Sequence, residues 1–204
     1  MRYGIIPTSV EYYKILSFIH CLYAKHIKGV ELADFPTFYG RPMLARASGA
    51  KIIIGKNARF FSNRSLNVAG IYHPCSLAAI GTNSVIKIGT NCGFSGVILV
   101  AQTSIEIGDF CYFGANAKIY DTDFHVEDPF RRRKQLSPGE AISKPVKIGN
   151  DVWVGSDVLI LKGVTVGDAA IIGARSVVTK NVLAGTIVAG NPARLIRSIH
   201  SIPQ

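Results

Sequence analysis

The sequence predicts an all-β solenoid, in which short parallel strands wind in triangular coils behind an N-terminal α-helix, with one long inserted loop. Three observations carry this. Nine of the twenty glycines directly follow Ile, Val or Phe. Ile148, Val154, Ile160, Val166, Ile172 and Val178 recur every six residues without a break. The repeat is then absent from residues 121 to 145, which must leave the solenoid as a loop. A helix would repeat at about 3.6 residues and a simple strand at about 2. A period of six with Gly, Asn or Asp at fixed offsets therefore means one short strand and one turn per unit. Three units close an eighteen-residue coil, and successive coils stack about 4.8 Å apart as parallel strands. That register puts Ile148 under Val166, Val154 under Ile172 and Ile160 under Val178. No coil can bury its aliphatic face alone, so stacking is obligatory.

The elements follow in chain order. Thr8 and Glu11 have the form of a capping box, and Tyr12, Ile15, Ile19, Leu22 and Tyr23 recur at helical spacing, predicting a helix over about residues 8 to 27. Residues 28 to 50 carry Gly and Pro with no clear period and read as a connector. Looser repeats start at Lys51: Ile54-Gly55, Ile80-Gly81, Ile88-Gly89 with Phe94, Ile107-Gly108, Phe113-Gly114 and Ile119. A loop of the length of 121–145 inside a regular solenoid is usually functional or mobile. The domain division is thus 1–50 for the helix and connector, 51–197 for the repeat domain and 198–204 for a tail.

Composition bounds the partners. The chain has 204 residues, enough for one well-buried domain. Apolar residues at 48% against 18% charged exclude a wholly disordered chain. Lys and Arg number 23 against 13 Asp and Glu, a formal +10, which favours anionic ligands such as phosphorylated cofactors, nucleic acids or acidic membranes. Cys21, Cys75, Cys92 and Cys111 form no CxxC pair and no zinc or disulfide framework, so a cytoplasmic location is the default. The apolar stretch 15–24 contains His20, is bracketed by Lys14 and Lys25, and is too short to span a bilayer. It also lacks the small-residue cleavage site of a signal peptide.

The block IGNDVWVGSDVLILKGVTVGDAAIIGARSVVTKNVLAGTIVAGNPARLIR, residues 148 to 197, resembles the hexapeptide-repeat acyltransferases, in the branch of maltose, galactoside and polysaccharide O-acetyltransferases. The resemblance implies a left-handed parallel β-helix and a homotrimer with active sites between neighbouring prisms. The loop IYDTDFHVEDPFRRRK looks like the family's histidine-bearing loop, which makes His125 the general base; no role carries over to Asn116. An alcohol is almost wholly protonated at neutral pH, and a positioned imidazole is typically worth ~10²–10⁴ in rate. Asp121 or Asp123 can hold the imidazole tautomer, and a plain Asx turn reads the same DTD segment equally well. The resemblance also implies that Trp153, Ser156, Ala174, Thr179, Lys180 and Arg197 line the path of acetyl-CoA, without any metal.

Stacking by eighteen gives a separate argument for that path. Ser156, Ala174 and Pro192 would form a ladder of small side chains beside Gly155 and Gly173, along which a pantetheine arm fits; relief of crowding at a corner is the plainer reading. A backbone N–H at Gly155 or Ser156 would then stabilise the oxyanion. His73 reads as packing, and the run Arg131, Arg132, Arg133, Lys134 as a solvated face. Its functional readings are attraction of CoA, of an acidic polysaccharide, or of a membrane carrying a lipid-linked acceptor, which would place the protein peripherally at the inner membrane face. Nucleic-acid binding fits poorly, because no recognition module accompanies the charge. The expected activity is acetyl-CoA-dependent O-acetylation of a sugar or polysaccharide precursor. Its rivals are a xenobiotic acetyltransferase and a non-catalytic scaffold; a zinc-dependent carbonic anhydrase of this fold would need a third repeat-region histidine besides His73 and His125.

Overall fold

The computed structural model describes residues 10–134 and 140–199, without the side chains of residues 10–13 and 27. The expected capping pair, Thr8 and the Glu11 side chain, lies outside these residues. Helix α1 (Val10–Leu22) runs into a wider π turn over Tyr23–Ile27. Gly29, at φ 61°, then turns the chain away through a left-handed step that suits glycine. The buried side of α1 and the π turn is made of small residues, Ser17, Cys21 and Ala24. Ser17 Oγ donates to the Pro36 carbonyl at 3.2 Å and accepts the Phe38 N–H at 2.8 Å, which stitches the helix to the segment that follows.

That segment is not a connector. It is the first coil of the prism, with β1 (Glu31–Leu32), β2 (Thr37–Tyr39) and β3 (Met43–Arg46). Leu32, Phe38, Leu44 and Ala50 keep the six-residue period, but none precedes a glycine, so the pattern hides in the sequence. The second coil holds β4 (Lys51–Ile54), β5 (Arg59–Phe61) and β6 (Ser76–Ala79), with an excursion between the last two. The third holds β7 (Val85–Ile88), β8 (Gly93–Ser95) and β9 (Ile98–Ala101), and the fourth β10 (Ser104–Ile107), β11 (Tyr112–Phe113) and β12 (Lys118–Tyr120). After the long loop come β13 (Val146–Ile148), β14 (Trp153–Val154) and β15 (Leu159–Ile160), then β16 (Thr165–Val166), β17 (Ile171–Ile172) and β18 (Val177–Val178). The first, second and third strands of the coils form three parallel sheets, here sheets 1, 2 and 3.

The expected register holds: Ile148 lies beside Val166, Val154 beside Ile172 and Ile160 beside Val178. It ends at β18. Val166 bridges Val182 and Ile172 pairs with Val188, each sixteen residues on, so the last partial coil is two residues short. Strand β19 (Thr186–Ala189) still joins sheet 2, and β20 (Arg194–Ser198) turns back antiparallel beside it.

The core is one column per sheet. Sheet 2 stacks the rings of Phe38, Phe60, Phe94 and Phe113 at centroid spacings of 5.1, 4.9 and 4.9 Å, set by the strand repeat. Val154, Ile172 and Val188 continue that column in aliphatic form. At the corner between sheets 1 and 2, the side-chain oxygens of Asp109, Asn150 and Asp168 accept the N–H groups of Thr90, Asp109 and Asn150 in the preceding coil. This is why Asn and Asp occupy the bends.

Candidate functional site

The loop 121–145 leaves the prism after β12, at the corner between sheets 3 and 1, and its neck is zipped shut. The Lys144 N–H donates to the Asp121 carbonyl at 2.8 Å, the Asp123 N–H to the Ile142 carbonyl at 3.1 Å, and Ser143 Oγ to Thr122 Oγ1 at 2.9 Å. Asp121 is fully buried, and its carboxylate accepts the N–H groups of Gln102 and Thr103 and the Thr103 hydroxyl at 2.6 to 2.7 Å. Asp123 Oδ1 lies 2.7 Å from Lys162 Nζ on the next coil. Both carboxylates are thus engaged elsewhere, and no hydrogen bond joins either of them to the His125 ring among the described residues. Asp123 instead fixes the backbone: its carbonyl accepts the His125 N–H at 2.7 Å.

Between them stands Phe124 at φ 62°, a left-handed conformation that costs a bulky residue about 1–2 kcal/mol. Its ring sits edge-on to Tyr120 at 5.2 Å, and its N–H reaches Thr122 Oγ1 at 3.3 Å. The same left-handed conformation recurs at Phe110, Ala169 and Arg175, with φ of 56°, 55° and 59°, so it marks the tight turns of this chain. His125 itself is exposed, and its imidazole makes no hydrogen bond among the described residues. Further along, Asp128 caps the short helix α2 (Pro129–Arg133). The basic run is exposed throughout, and three of its four side chains also contact their own loop. Arg131 pairs with Glu140 at 2.8 Å, Arg132 donates to the carbonyls of Val126 and Glu127, and Arg133 lies over the Phe130 ring at 5.4 Å.

The corner between sheets 2 and 3 carries most of the residues expected around a cofactor. Trp153 is 57% exposed on the outer face of β14, beside Tyr112 and Ile171 in neighbouring coils. Gly155 lets the next coil close in: a Cβ there would lie 2.6 Å from the Ala174 nitrogen. The Gly155 N–H donates to the Ile172 carbonyl at 2.8 Å, so it is not available to an oxyanion. The N–H groups of Ser156 and Ala174, eighteen residues apart and so stacked one coil apart, donate to no acceptor among the described residues. Pro192 does not extend this ladder, because the sixteen-residue offset brings Gly190 to the next position.

Thr179 and Lys180 follow β18 at the adjoining corner, where Lys180 lines a groove of about 280 Å³ with Leu183, Arg194 and Leu195. Arg197 does not sit over Thr179. The coil does not continue there, and antiparallel β20 carries Arg197 onto sheet 2 opposite Ile187, in the outer row that includes Trp153 and Ile171. His73 stays within the excursion after β5, with Nδ1 3.2 Å from the Pro74 carbonyl and Nε2 buried. Among the described residues no three His, Cys, Asp or Glu side chains are grouped to hold a metal ion.

Residues 145–180 match the family described as Bacterial transferase hexapeptide (six repeats). The matched stretch spans the coils from β13 to β18. Over 119 residues it is 39% identical to the galactoside O-acetyltransferase of Escherichia coli strain K12, covering 57% of this chain and 56% of the relative. Over 104 residues it is 52% identical to a chloramphenicol acetyltransferase of Morganella morganii, covering 45% and 50%. The chain spans about half the length of the curated relatives it matches. Among solved structures it is similar to a hexapeptide-repeat acetyltransferase of Vibrio cholerae O1 biovar eltor, complexed with acetyl coenzyme A, with TM-score 0.52, 22% identity and coverage of 94% and 90%. The three-sheet prism has the left-handed parallel β-helix fold of these hexapeptide-repeat structures.

Two contributors to this hexapeptide-repeat site escape a reading of the sequence. Phe124 gives no signal of its own, since its positive φ comes from the closed neck of the loop. Asn116 does give one, as an Asn at a corner. Buried at φ 62°, it accepts the Tyr72 N–H at 2.8 Å and donates to the Gly70 carbonyl at 3.2 Å, tying the excursion after β5 to the fourth coil.

Proposed function

We propose that the protein is an acetyl-CoA-dependent O-acetyltransferase acting on a sugar hydroxyl, as part of a surface polysaccharide or its precursor. The observation that carries this reading is His125, an unpartnered imidazole at the end of a strained, doubly braced turn. The acceptor hydroxyl oxygen attacks the thioester carbonyl while His125 takes its proton. The tetrahedral oxyanion collapses, the C–S bond breaks, and the imidazolium returns the proton to the departing CoA sulfur. The free N–H of Ala174 suits an amide carbonyl of a pantetheine arm, the Trp153 ring suits its wall, and Lys180 and Arg197 suit the phosphates of CoA. Ser156 replaces Gly155 as the oxyanion donor.

In this reading the active unit is the whole prism from the first coil to β20. Three copies assemble with the His125 loop of one protomer facing the corner of the next, since the loop and the Ser156 ladder occupy different corners of one chain. The enzyme works in the cytoplasm, in peripheral contact with a membrane-linked acceptor. A second reading, acetylation of a xenobiotic such as an antibiotic, is favoured by the 52% identity to the Morganella morganii chloramphenicol acetyltransferase.

Thiol release from acetyl-CoA against sugars, glycans and chloramphenicol separates the two. Sugar-dependent release that His125→Ala lowers by about 10²-fold or more, with acetyl-CoA affinity within a few-fold, is expected. Release dependent on chloramphenicol alone selects the second reading, and turnover unchanged in a folded His125→Ala protein removes the base.

A further inference from the structure

Helix α1 is amphipathic the wrong way round for a helix whose task ends at the prism. Its buried side, with that of the π turn, is Ser17, Cys21 and Ala24, while Ile15, Phe18 and Ile19 stand 61%, 49% and 51% exposed, with Leu22 one turn on. The spacing i, i+3, i+4, i+7 makes these four one continuous stripe, opposite the seam with β2. Phe35 widens it, its ring 5.4 Å from that of Phe18. A notch of about 310 Å³ lies beside the pair, lined by Phe18, Cys21 and Phe35 with Lys14 at its rim. Scattered exposed apolar residues need no explanation, but a stripe of this length on one helix marks a surface that meets another phase or molecule.

The surrounding charge identifies the occupant. Lys14 and Lys25 are eleven residues apart, close to three turns, and so run along the same edge of the stripe. His26 follows Lys25, and Lys28 and Arg41 both lie over the ring of Tyr23, whose hydroxyl accepts from Arg41 Nη2 at 3.0 Å. An aromatic with a wet hydroxyl and cations around it is suited to the boundary between headgroups and acyl chains. A second copy fits worse, since two stripes packed antiparallel would bring the Lys14–Lys25 edges of both copies side by side. The described carboxylate nearest in sequence to Phe35 is Asp34, and one of its oxygens already accepts the Phe35 N–H at 2.7 Å. No described helix is long and apolar enough to cross a membrane, and a stripe of this kind suits a position in the plane of the bilayer surface.

We propose that α1 docks flat on an anionic phospholipid bilayer, with Ile15, Phe18, Ile19, Leu22 and Phe35 entering the headgroup–acyl boundary and Lys14, Lys25 and Lys28 meeting lipid phosphates. This deepens the reading of a membrane-linked acceptor by naming the surface that brings the protein to it. The site is remote in sequence from every residue assigned to acetyl transfer.

The test uses the full chain and sedimented vesicles of phosphatidylcholine with and without phosphatidylglycerol, containing neither acetyl-CoA nor acceptor, so its outcome does not depend on the acetyl-transfer reading. Binding should require phosphatidylglycerol and weaken as salt rises. Phe18→Ser with Ile19→Ser should reduce binding about tenfold or more, with unchanged far-ultraviolet circular dichroism and melting. Lys14→Glu with Lys25→Glu, which keeps the apolar stripe, should remove the preference for phosphatidylglycerol. Absence of binding at low salt, or equal binding by the wild type and the serine variant, overturns the proposal. So does a fall in the solution mass of the serine variant, which would make the stripe a contact between copies.

Discussion

Phe124 and His125 show what one residue can require of its neighbours. A phenylalanine at φ 62° persists only because the surrounding bonds over-determine it, and the bond that closes that set is the ion pair of Asp123 with Lys162 at 2.7 Å. Both side chains are largely shielded, so this pair is worth more than an exposed one. Lys162→Met keeps the length and apolar stem of the side chain and leaves Asp123 without its partner. If His125 is the base, kcat should fall about tenfold while the KM for acetyl-CoA stays within a few-fold, because the lysine positions the loop and does not touch the thioester. An unchanged kcat would mean that the loop holds its shape without the pair. His125 is singled out in the sequence by the resemblance of its loop, which also breaks the repeat. The roles of Asp121 and Asp123 are not legible there, since the choice between ring orienter and backbone anchor depends on where Gln102, Thr103 and Lys162 lie, and those are brought near only by the coil stacking. The same holds for Gly155: its N–H is occupied by the Ile172 carbonyl of the next coil, which a sequence motif does not display.

At the level of elements, legibility followed the strictness of the period. Residues 148–178 keep six, with glycine after four of the six inward residues, and their register is the one observed. The first coil keeps six without the glycines, and its start with Leu32, Phe38 and Leu44 passes for a connector because the turn chemistry is missing. The hairpin of β19 and β20 departs for the opposite reason. Its residues look like further repeat, yet a two-residue shortening after Val178 sends Arg197 to sheet 2. Helix α1 was visible by its spacing, although not which side of it is buried. That seam has a measurable consequence at His20. Burial, and secondarily Arg41, lower its pKa from the ordinary 6.5, against a backbone hydrogen bond at Phe38 that raises it, and its Nδ1 is buried without a partner. As pH falls through the ordinary value the unfolded chain takes up a proton before the folded one does. Stability is therefore present above that value and is lost as pH falls through the depressed folded value. The melting temperature should drop between about pH 7 and pH 5, and His20→Gln, neutral throughout, should flatten part of that drop. Identical slopes for the two proteins would show that His20 is protonated equally in both states.

For the whole molecule, what matters is that one prism separates the parts to which the proposed acetyl transfer assigns its roles. The His125 loop emerges between sheets 3 and 1, whereas the free N–H groups of Ser156 and Ala174 and the exposed Trp153 belong to sheet 2 and its corner with sheet 3. A closed ring of protomers removes the separation, since a head-to-tail contact sets one corner of a copy against a different corner of the next. This makes a prediction that neither variant alone can test. His125→Ala lacks the base and keeps the groove. Ala174→Trp keeps the base and fills the groove, and it should fold, because Ala174 is exposed and the large ring points away from the core column. Each homo-oligomer should be nearly inactive. If the two chains are denatured together in equal amounts and refolded, a site is intact wherever an Ala174→Trp protomer presents its histidine to a His125→Ala protomer's groove. In randomly mixed rings that is about one site in four, so roughly a quarter of wild-type turnover should return. The recovered activity should track the amount of mixed species seen by mass. Mixed rings that form and stay inactive would mean that the base and the groove act within one chain, and a protein that remains a fully active monomer at assay concentration would remove the ring itself.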